Sequence, residues 1–411
     1  MVVTWGAAQR YSRSVAGWSA ALIGFSLPIS TSLDGILLVV TVVAWVIGGA
    51  FRELPKIVRD NGLVLLLPCL FVLIAFGMVH GPAPFSERVR SLWKYDDLLL
   101  PLVFIPLFLD SSVRERGLWA FGLAMGLTLL ISLGLAAGWI PKSSWFHGGP
   151  ANATVFKQQI THNLLMAFAA LLFAEIGRRA SVPWQRYGLA VLSIGAVIDV
   201  FMLVQGRTGQ LVLCALIIVW SIRSFGLRGL AVGATAVAVL VVMSYAASPV
   251  FQKRVEKTMK ELEKAQVETV APVNSSVGLR AEWYQNTARL IAAHPVAGVG
   301  TGSFAHAYAE LVSEPMAVKP AHPHNQYLLT TAELGAVGAV LLPGVFGILW
   351  WKFRSADAQP YGVLGQGIVI ALAIACVFNS ALIDHTEGLW WAWWVSAALA
   401  GASDGVGGRV C

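Results

Sequence analysis

The chain has 411 residues, of which 57% are apolar and only 12% charged, with a mean hydropathy of +0.69. Soluble domains carry about twice that share of charge, so a soluble globular enzyme, a disordered chain and a disulfide-stapled secreted module are all excluded. The net charge of +7 would suit a nucleic-acid binder, and that reading depends on where the basic residues stand.

Apolar runs of the length a bilayer demands, roughly 20 residues each, recur along the chain. They cover residues 14–33, 35–51, 61–79, 92–109, 118–138, 160–177, 187–205, 209–222, 229–247, 325–351, 361–383 and 388–403. The pattern predicts an all-α polytopic membrane protein of about twelve transmembrane helices, the fourth and eighth runs being short. Strand-type alternation is missing, which disfavours a barrel. Three of the four cysteines (Cys69, Cys214, Cys376) sit inside apolar runs and Cys411 is terminal, so they read as small apolar fillers. Several of the sixteen tryptophans flank runs, as interfacial anchors do.

The basic residues orient the set. With the N-terminus in the cytoplasm, fifteen of the 29 fall in cytoplasmic segments: Arg10, Arg13, Arg52, Lys56, Arg59, Arg114, Arg116, Arg178, Arg179, Arg186, Arg223, Arg228, Lys352, Arg354 and Arg409. The short outer loops hold six: Arg88, Arg90, Lys94, Lys142, Lys157 and Arg207. The other eight lie in one long outer segment, where the positive-inside bias does not count them. The positive charge is therefore mostly a topology signal, and no nucleic-acid partner is expected. The first run is too long for a signal peptide and lacks a clear cleavage site, so it reads as an uncleaved anchor with both chain ends cytoplasmic. Histidines 80, 147, 162, 294, 306, 322, 324 and 385 all fall on the outer side or just inside it, a placement that points to chemistry on that face.

Three regions follow: spans one to nine in 1–247, an outer helical segment in 248–324, and spans ten to twelve with a tail in 325–411. The outer segment opens on a charged stretch from Phe251 to Lys264, read as a solvated helix in which Glu256 and Lys260 have the favourable i,i+4 order. A second helix is predicted from a cap at Ser275 or Ser276 to His294, where Pro295 stops it. Its residues Leu279, Trp283, Leu290 and Ile291 share a face that could lie on the membrane surface. Arg280, Tyr284 and Thr287 occupy a neighbouring face. The glycine-rich turn Gly298-Val-Gly-Thr-Gly-Ser-Phe304 resembles a phosphate-binding loop only loosely, and a plain connection is the simpler reading. His324 and Asn325 then stand at the mouth of the tenth span.

Few residues have the chemistry for a reaction. Arg207 lies in the tight turn Gln205-Gly-Arg-Thr-Gly-Gln210, which its two glycines permit. At that depth it either meets an anionic group of a lipid-linked substrate or reaches ordinary phospholipid phosphate. Arg280 and His324 each have the same two readings, site or surface. Arg88, Arg90 and Lys94 form a basic outer cluster. His322 with His324 could hold a metal, but the spacing is a poor match and no third ligand is evident. Asp199 and Glu333 lie inside spans, where they can pair with neighbouring helices, and Asp384 and Glu387 lie in the last outer loop.

Four short motifs stand in order: Gly206-Arg207-Thr-Gly; Gly278-Leu-Arg280-Ala-Glu-Trp283; His294-Pro-Val-Ala-Gly-Val-Gly300; and Pro323-His324-Asn325-Gln-Tyr-Leu328. Together they resemble the O-antigen ligase and polymerase superfamily, and the plan of the chain looks most like an O-antigen ligase. The resemblance implies a GT-C-like fold in the bacterial inner membrane with its active site on the periplasmic face. It also implies an inverting, metal-independent glycosyltransferase without cofactors. Such an enzyme moves O-antigen polysaccharide from undecaprenyl diphosphate to a sugar hydroxyl of the lipid A–core oligosaccharide. Arg207 and Arg280 match the family's diphosphate-binding arginines and His324 its general base. Arg88, Arg90, Lys94 and His322 would be secondary substrate contacts, and Asp199 would be structural. An O-antigen polymerase or protein O-oligosaccharyltransferase of the same superfamily is the alternative, and a lipid-linked glycan transporter the alternative from another class.

Overall fold

The computed structural model describes residues 2–248, 251–253, 255–256, 259–260, 276–312, 318–356 and 360–403. The helices, in chain order, are α1 Val2–Ser26, α2 Thr31–Ile47, α3 Leu54–Asp60, α4 Leu66–Phe76, α5 Phe85–Leu92, α6 Pro101–Phe108, α7 Ser111–Ala136, α8 Gln159–Arg179, α9 Pro183–Ile198, α10 Arg207–Phe225, α11 Arg228–Ala247, α12 Ser276–Ala293, α13 Phe304–Leu311, α14 Gln326–Arg354, α15 Pro360–Phe378 and α16 His385–Ser403; all but α3, α5, α12 and α13 stand at the twelve apolar stretches. Among the described residues no named strand forms.

Among the described residues eight helical segments are long and apolar enough to cross a membrane unaided, and the bent pair Thr31–Ile47 and Ala50–Asp60 would make a ninth. The two runs that read as short in the sequence differ from each other in the structure. The fourth is a 3-10 turn, Trp93–Leu99, followed by α6, because Pro101 and Pro106 interrupt its hydrogen-bond ladder. The eighth is not short: it starts at Arg207 and runs 19 residues.

The last helix, α16, is the hub. Trp390, Trp391, Trp393 and Trp394 are fully buried, so these four are packing residues and not interfacial anchors. Trp393 donates its Nε1 to the Ala20 carbonyl at 2.8 Å and meets Phe108 edge-on, while Trp394 packs on Phe168 with ring centroids 4.7 Å apart. Close helix approach in lipid depends on such van der Waals contact. A Cβ at Gly117 would stand 2.6 Å from the Trp393 ring, which is why α7 is bare there. The periphery is inverted relative to a soluble protein. Val39, Val191 and Val242 project outward from α2, α9 and α11, as lipid-facing side chains do.

One end of the bundle collects the eight histidines. Helices α8, α10, α14 and α16 begin there, and α1, α4, α7 and α15 end there. The opposite end is tied by basic residues: Arg13 bonds Glu53 at 2.7 Å, buried Glu175 receives Arg178 and Arg179, and Arg114 donates to the Phe108 carbonyl. In the charged stretch from Phe251 to Lys264, residues 251–253, 255–256 and 259–260 are helical, and its other residues, Ser275 and the tail from 404 onward lie outside the described residues.

Candidate active site

The site is assembled at the histidine-rich end, where α12 and the loop before α14 meet the end of α15. The predicted second outer helix forms as α12, and His294 closes its last turn through the Leu290 carbonyl. Its apolar face does not lie on the membrane surface. Leu290 is buried among Val299, Phe304, Tyr308 and Leu329, so the face is spent on α13 and the start of α14. Trp283 Nε1 donates to the Val318 carbonyl, and Asn286 Nδ2 to the Tyr308 hydroxyl. The helix is therefore held at one fixed angle over the bundle.

That placement brings α12 against His324. The Trp283 ring stacks on the imidazole at 5.3 Å between centroids and 22° between planes. Tyr284 donates its hydroxyl toward the His324 carbonyl. One turn earlier, Arg280 is half-buried, and its charge bears on both the Tyr284 hydroxyl and the imidazole. Among the described residues no carboxylate pairs with Arg280. His324 itself has a left-handed backbone (φ 52°), a conformation costly for a residue with a Cβ and one that clusters at functional sites. Asn325 then caps α14 by accepting from the Leu328 amide at 3.0 Å. The cap and the bent residue before it aim the imidazole back over the helix mouth.

The proton balance of the two histidines favours neutral rings. Burial lowers the His324 pKa, Arg280 lowers it further, and Asn379 and Asp384 oppose the shift. Burial pushes His322 down to about 4, helped by His324 and Lys94. His322 Nδ1 accepts the His324 amide at 3.4 Å, so its role is partly to shape the loop. Among the described residues no three His, Cys, Asp or Glu side chains are grouped as metal ligands.

Arg207 opens α10 at the same end. Among the described residues no hydrogen bond or ring contact joins it to Arg280 or His324, but a short chain of contacts links the two regions. Three consecutive residues in the first turn of α8 make the links. Thr161 donates to Glu387 at the start of α16 (2.6 Å), His162 meets Asp199 (2.9 Å), and Asn163 donates to the Val204 and Gly206 carbonyls (3.4 Å each). The glycines of the Arg207 turn serve space and not backbone freedom. Gly206 is extended, and a Cβ at Gly209 would stand 2.4 Å from the Asn163 Cβ. Asp199 does not reach toward Arg207. It sits in a π-helical turn, Asp199–Leu203, fully buried, and accepts from both His162 and Ser132. The backbone N–H of Val155 approaches His162 Nδ1, so Nε2 carries the proton given to Asp199.

The secondary basic residues divide. Lys94 is exposed, and its charge reaches His322 and Asp384. Arg88 is committed to the scaffold: it donates to the Met78 carbonyl and lies 5.6 Å over the Phe85 ring. Arg90 is exposed and makes no contact with the histidine pair among the described residues. The glycine-rich turn is not a phosphate cradle, because its amides are already bonded. Val299 and Gly300 donate to the carbonyls of Ala332 and Glu333, Thr301 to that of Gly77, and Gly302 to the Glu333 carboxyl. Helix α14 is broken at Gly335 (φ 60°, ψ −140°), and this break admits the turn. Glu333 is thus a clasp.

The sequence alone gives no role at this site to Asn379, Tyr284 or Trp283. A polar Asn-Ser pair at the end of an apolar run was the available signal for the first.

The fold and site define a polytopic membrane protein with a polar, histidine- and arginine-bearing centre at one membrane end. Residues 188–343 match the family model described as O-antigen ligase, a stretch that contains all four motifs and bears out the resemblance they carry. No curated protein matches the chain. The family's members are glycosyltransferase-like enzymes, and the match supports a ligase- or polymerase-type role in O-antigen processing, with polysaccharide and lipid-linked substrates.

Proposed function

We propose that the protein is an O-antigen ligase on the periplasmic face of the bacterial inner membrane. It would transfer O-antigen polysaccharide from undecaprenyl diphosphate to a sugar hydroxyl of lipid A–core. The observation that carries the reading is that the helix bearing Arg280 also holds His324, through the stacked Trp283 ring and the Tyr284 hydroxyl. A half-buried imidazole inclined to be neutral lies under the field of an arginine that no described carboxylate neutralises.

In this reading the acceptor hydroxyl attacks the anomeric carbon on the face opposite the diphosphate. The new carbon–oxygen bond forms as the bond to phosphate breaks, so the configuration inverts. His324 takes the hydroxyl proton, and a neutral ring at neutral pH is the form that can do so. The leaving diphosphate keeps the bonding electron pair. Its growing charge is met by Arg280, with Arg207 as a second fixed cation, whose planar forks suit phosphate oxygens. Such charge, set in place before the reaction, favours the transition state over the ground state. Arginine positions of this kind do the work a metal ion does elsewhere, so no metal is needed.

The test is reconstitution of the purified chain with undecaprenyl diphosphate-linked O-antigen and lipid A–core. A glycan joined to lipid A–core, lost on His324→Ala or Arg280→Ala, is the expected result. Longer carrier-linked chains would mean a polymerase instead. Flux across liposomes without bond transfer would overturn the enzymatic reading.

A further inference from the structure

The end of α15 carries an arrangement beyond the arginines and histidine. Asn379 lies between two groups. Its Nδ2 donates to Asp384 Oδ2 at 2.7 Å, and its Oδ1 faces His324 Nδ1 at 3.4 Å. A carboxylate can only accept, so the amide nitrogen must face Asp384. The amide oxygen is then left facing the imidazole, and an oxygen there can only accept a proton from Nδ1. We propose that Asp384 and Asn379 form a positioning relay that holds His324 as its Nδ1–H tautomer, leaving Nε2 bare to receive the proton of the attacking hydroxyl. This rests on the reading of His324 as the base.

The intervening amide has a physical purpose. An ionised carboxylate in direct contact with an imidazole raises its pKa and favours the protonated ring, which cannot act as a base. An amide carbonyl fixes the same orientation with a weaker pull on the proton. Two further contacts limit ring motion: Trp283 stacks on one side, and the His322 ring lies 4.4 Å away. The backbone is pinned at the same residue by Tyr284. The charged and titratable groups around the imidazole are Arg280 and Tyr284 from α12, His322 from its own loop, Asp384, and Lys94 through its effect on His322 and Asp384. Burial pushes the Asp384 carboxyl up, and Asn379, His324 and Lys94 hold it down. Asn379 and Asp384 both raise proton affinity at His324, so losing either lowers it.

The experiment measures turnover against pH in the reconstituted full chain for wild type, Asn379→Ala, Asp384→Asn and His324→Ala. The relay predicts that Asn379→Ala and Asp384→Asn lose about tenfold or more in kcat. They should keep the wild-type KM for the donor, and their acid limb should move to lower pH. Wild-type kcat and an unmoved limb in both, with His324→Ala inactive, would overturn the relay and leave the general-base reading standing. Full activity in His324→Ala would instead remove the base itself. A measurement on the wild type covers variants that fail to fold. In 15N-histidine spectra, the ring signals lost in His324→Gln should show the Nδ1–H pattern above the His324 pKa, and an Nε2–H pattern would overturn the relay.

Discussion

The hydroxyl of Tyr284 lies 3.2 Å from the main-chain carbonyl of His324 and 3.0 Å from that of Val377, so one side chain of α12 fastens the histidine loop to the end of α15. Tyr284→Phe keeps the ring and removes only the bond, worth about 1 kcal/mol in a typical case. The expected outcome is a folded protein with a small fall in melting temperature and a larger fall in kcat than in donor affinity. Steady-state kinetics on the reconstituted chain checks it.

Burial and the Arg280 charge both depress the His324 pKa. A base works when unprotonated, so turnover should rise with pH and level off at an inflection below the ordinary histidine value of about 6.5. Arg280→Ala removes one of the depressing charges, so the inflection should move upward. The same change removes a cation from the leaving group, and a loss of about 100-fold in turnover is expected. Arg280→Lys should recover little, because an ammonium cannot match two phosphate oxygens in a fork.

Chelation offers a separate check. If fixed arginines replace a metal at the diphosphate, extensive treatment with EDTA should leave transfer to lipid A–core unchanged. A loss restored by adding a divalent cation would count against that scheme.

Asp199 and His162 are both buried, and removing one partner strands the other. Asp199→Ala leaves the buried His162 Nε2–H without its acceptor and should cost about 1–3 kcal/mol. Lower expression and a lower melting temperature in detergent are the expected readouts. His324→Ala, at a half-exposed loop, should show neither.

Gly335→Ala tests the break in α14. The new Cβ would stand 2.3 Å from the Val296 carbonyl oxygen, and the backbone is in a region costly for any other residue. Strain alone amounts to about 1–3 kcal/mol. The variant should be destabilised even though the change improves helix propensity, and thermal unfolding measures it.

Much of the fold was legible because spanning helices leave long apolar runs, and their ends carry the basic residues of the opposite pole. Short motifs single out Arg280 and His324, and the fold brings the helix of the first against the second. The partners of His324 were not legible, since Asn379 lies 55 residues away and Tyr284 40, and nothing local joins them. The role of α16 was also hidden. Its tryptophans flank nothing and pack inward, which a hydropathy pattern reads as one more membrane-facing run. The glycine-rich turn misled in the opposite sense. Its composition suits anion binding, but only the folded chain shows its amides bonded to α14 and to Gly77.

The turn that enters the break of α14 has a consequence for how the chain is made. Thr301 reaches the Ile74 carbonyl across a separation of 227 residues, and its amide takes the Gly77 carbonyl. The tip of α4 leaves the ribosome early, and its partner arrives only after most of the membrane domain has been inserted. Until then the nascent protein presents an unfilled notch at that tip. It can close only after the chain beyond α12 has been made, so the histidine-bearing end is completed late in biogenesis.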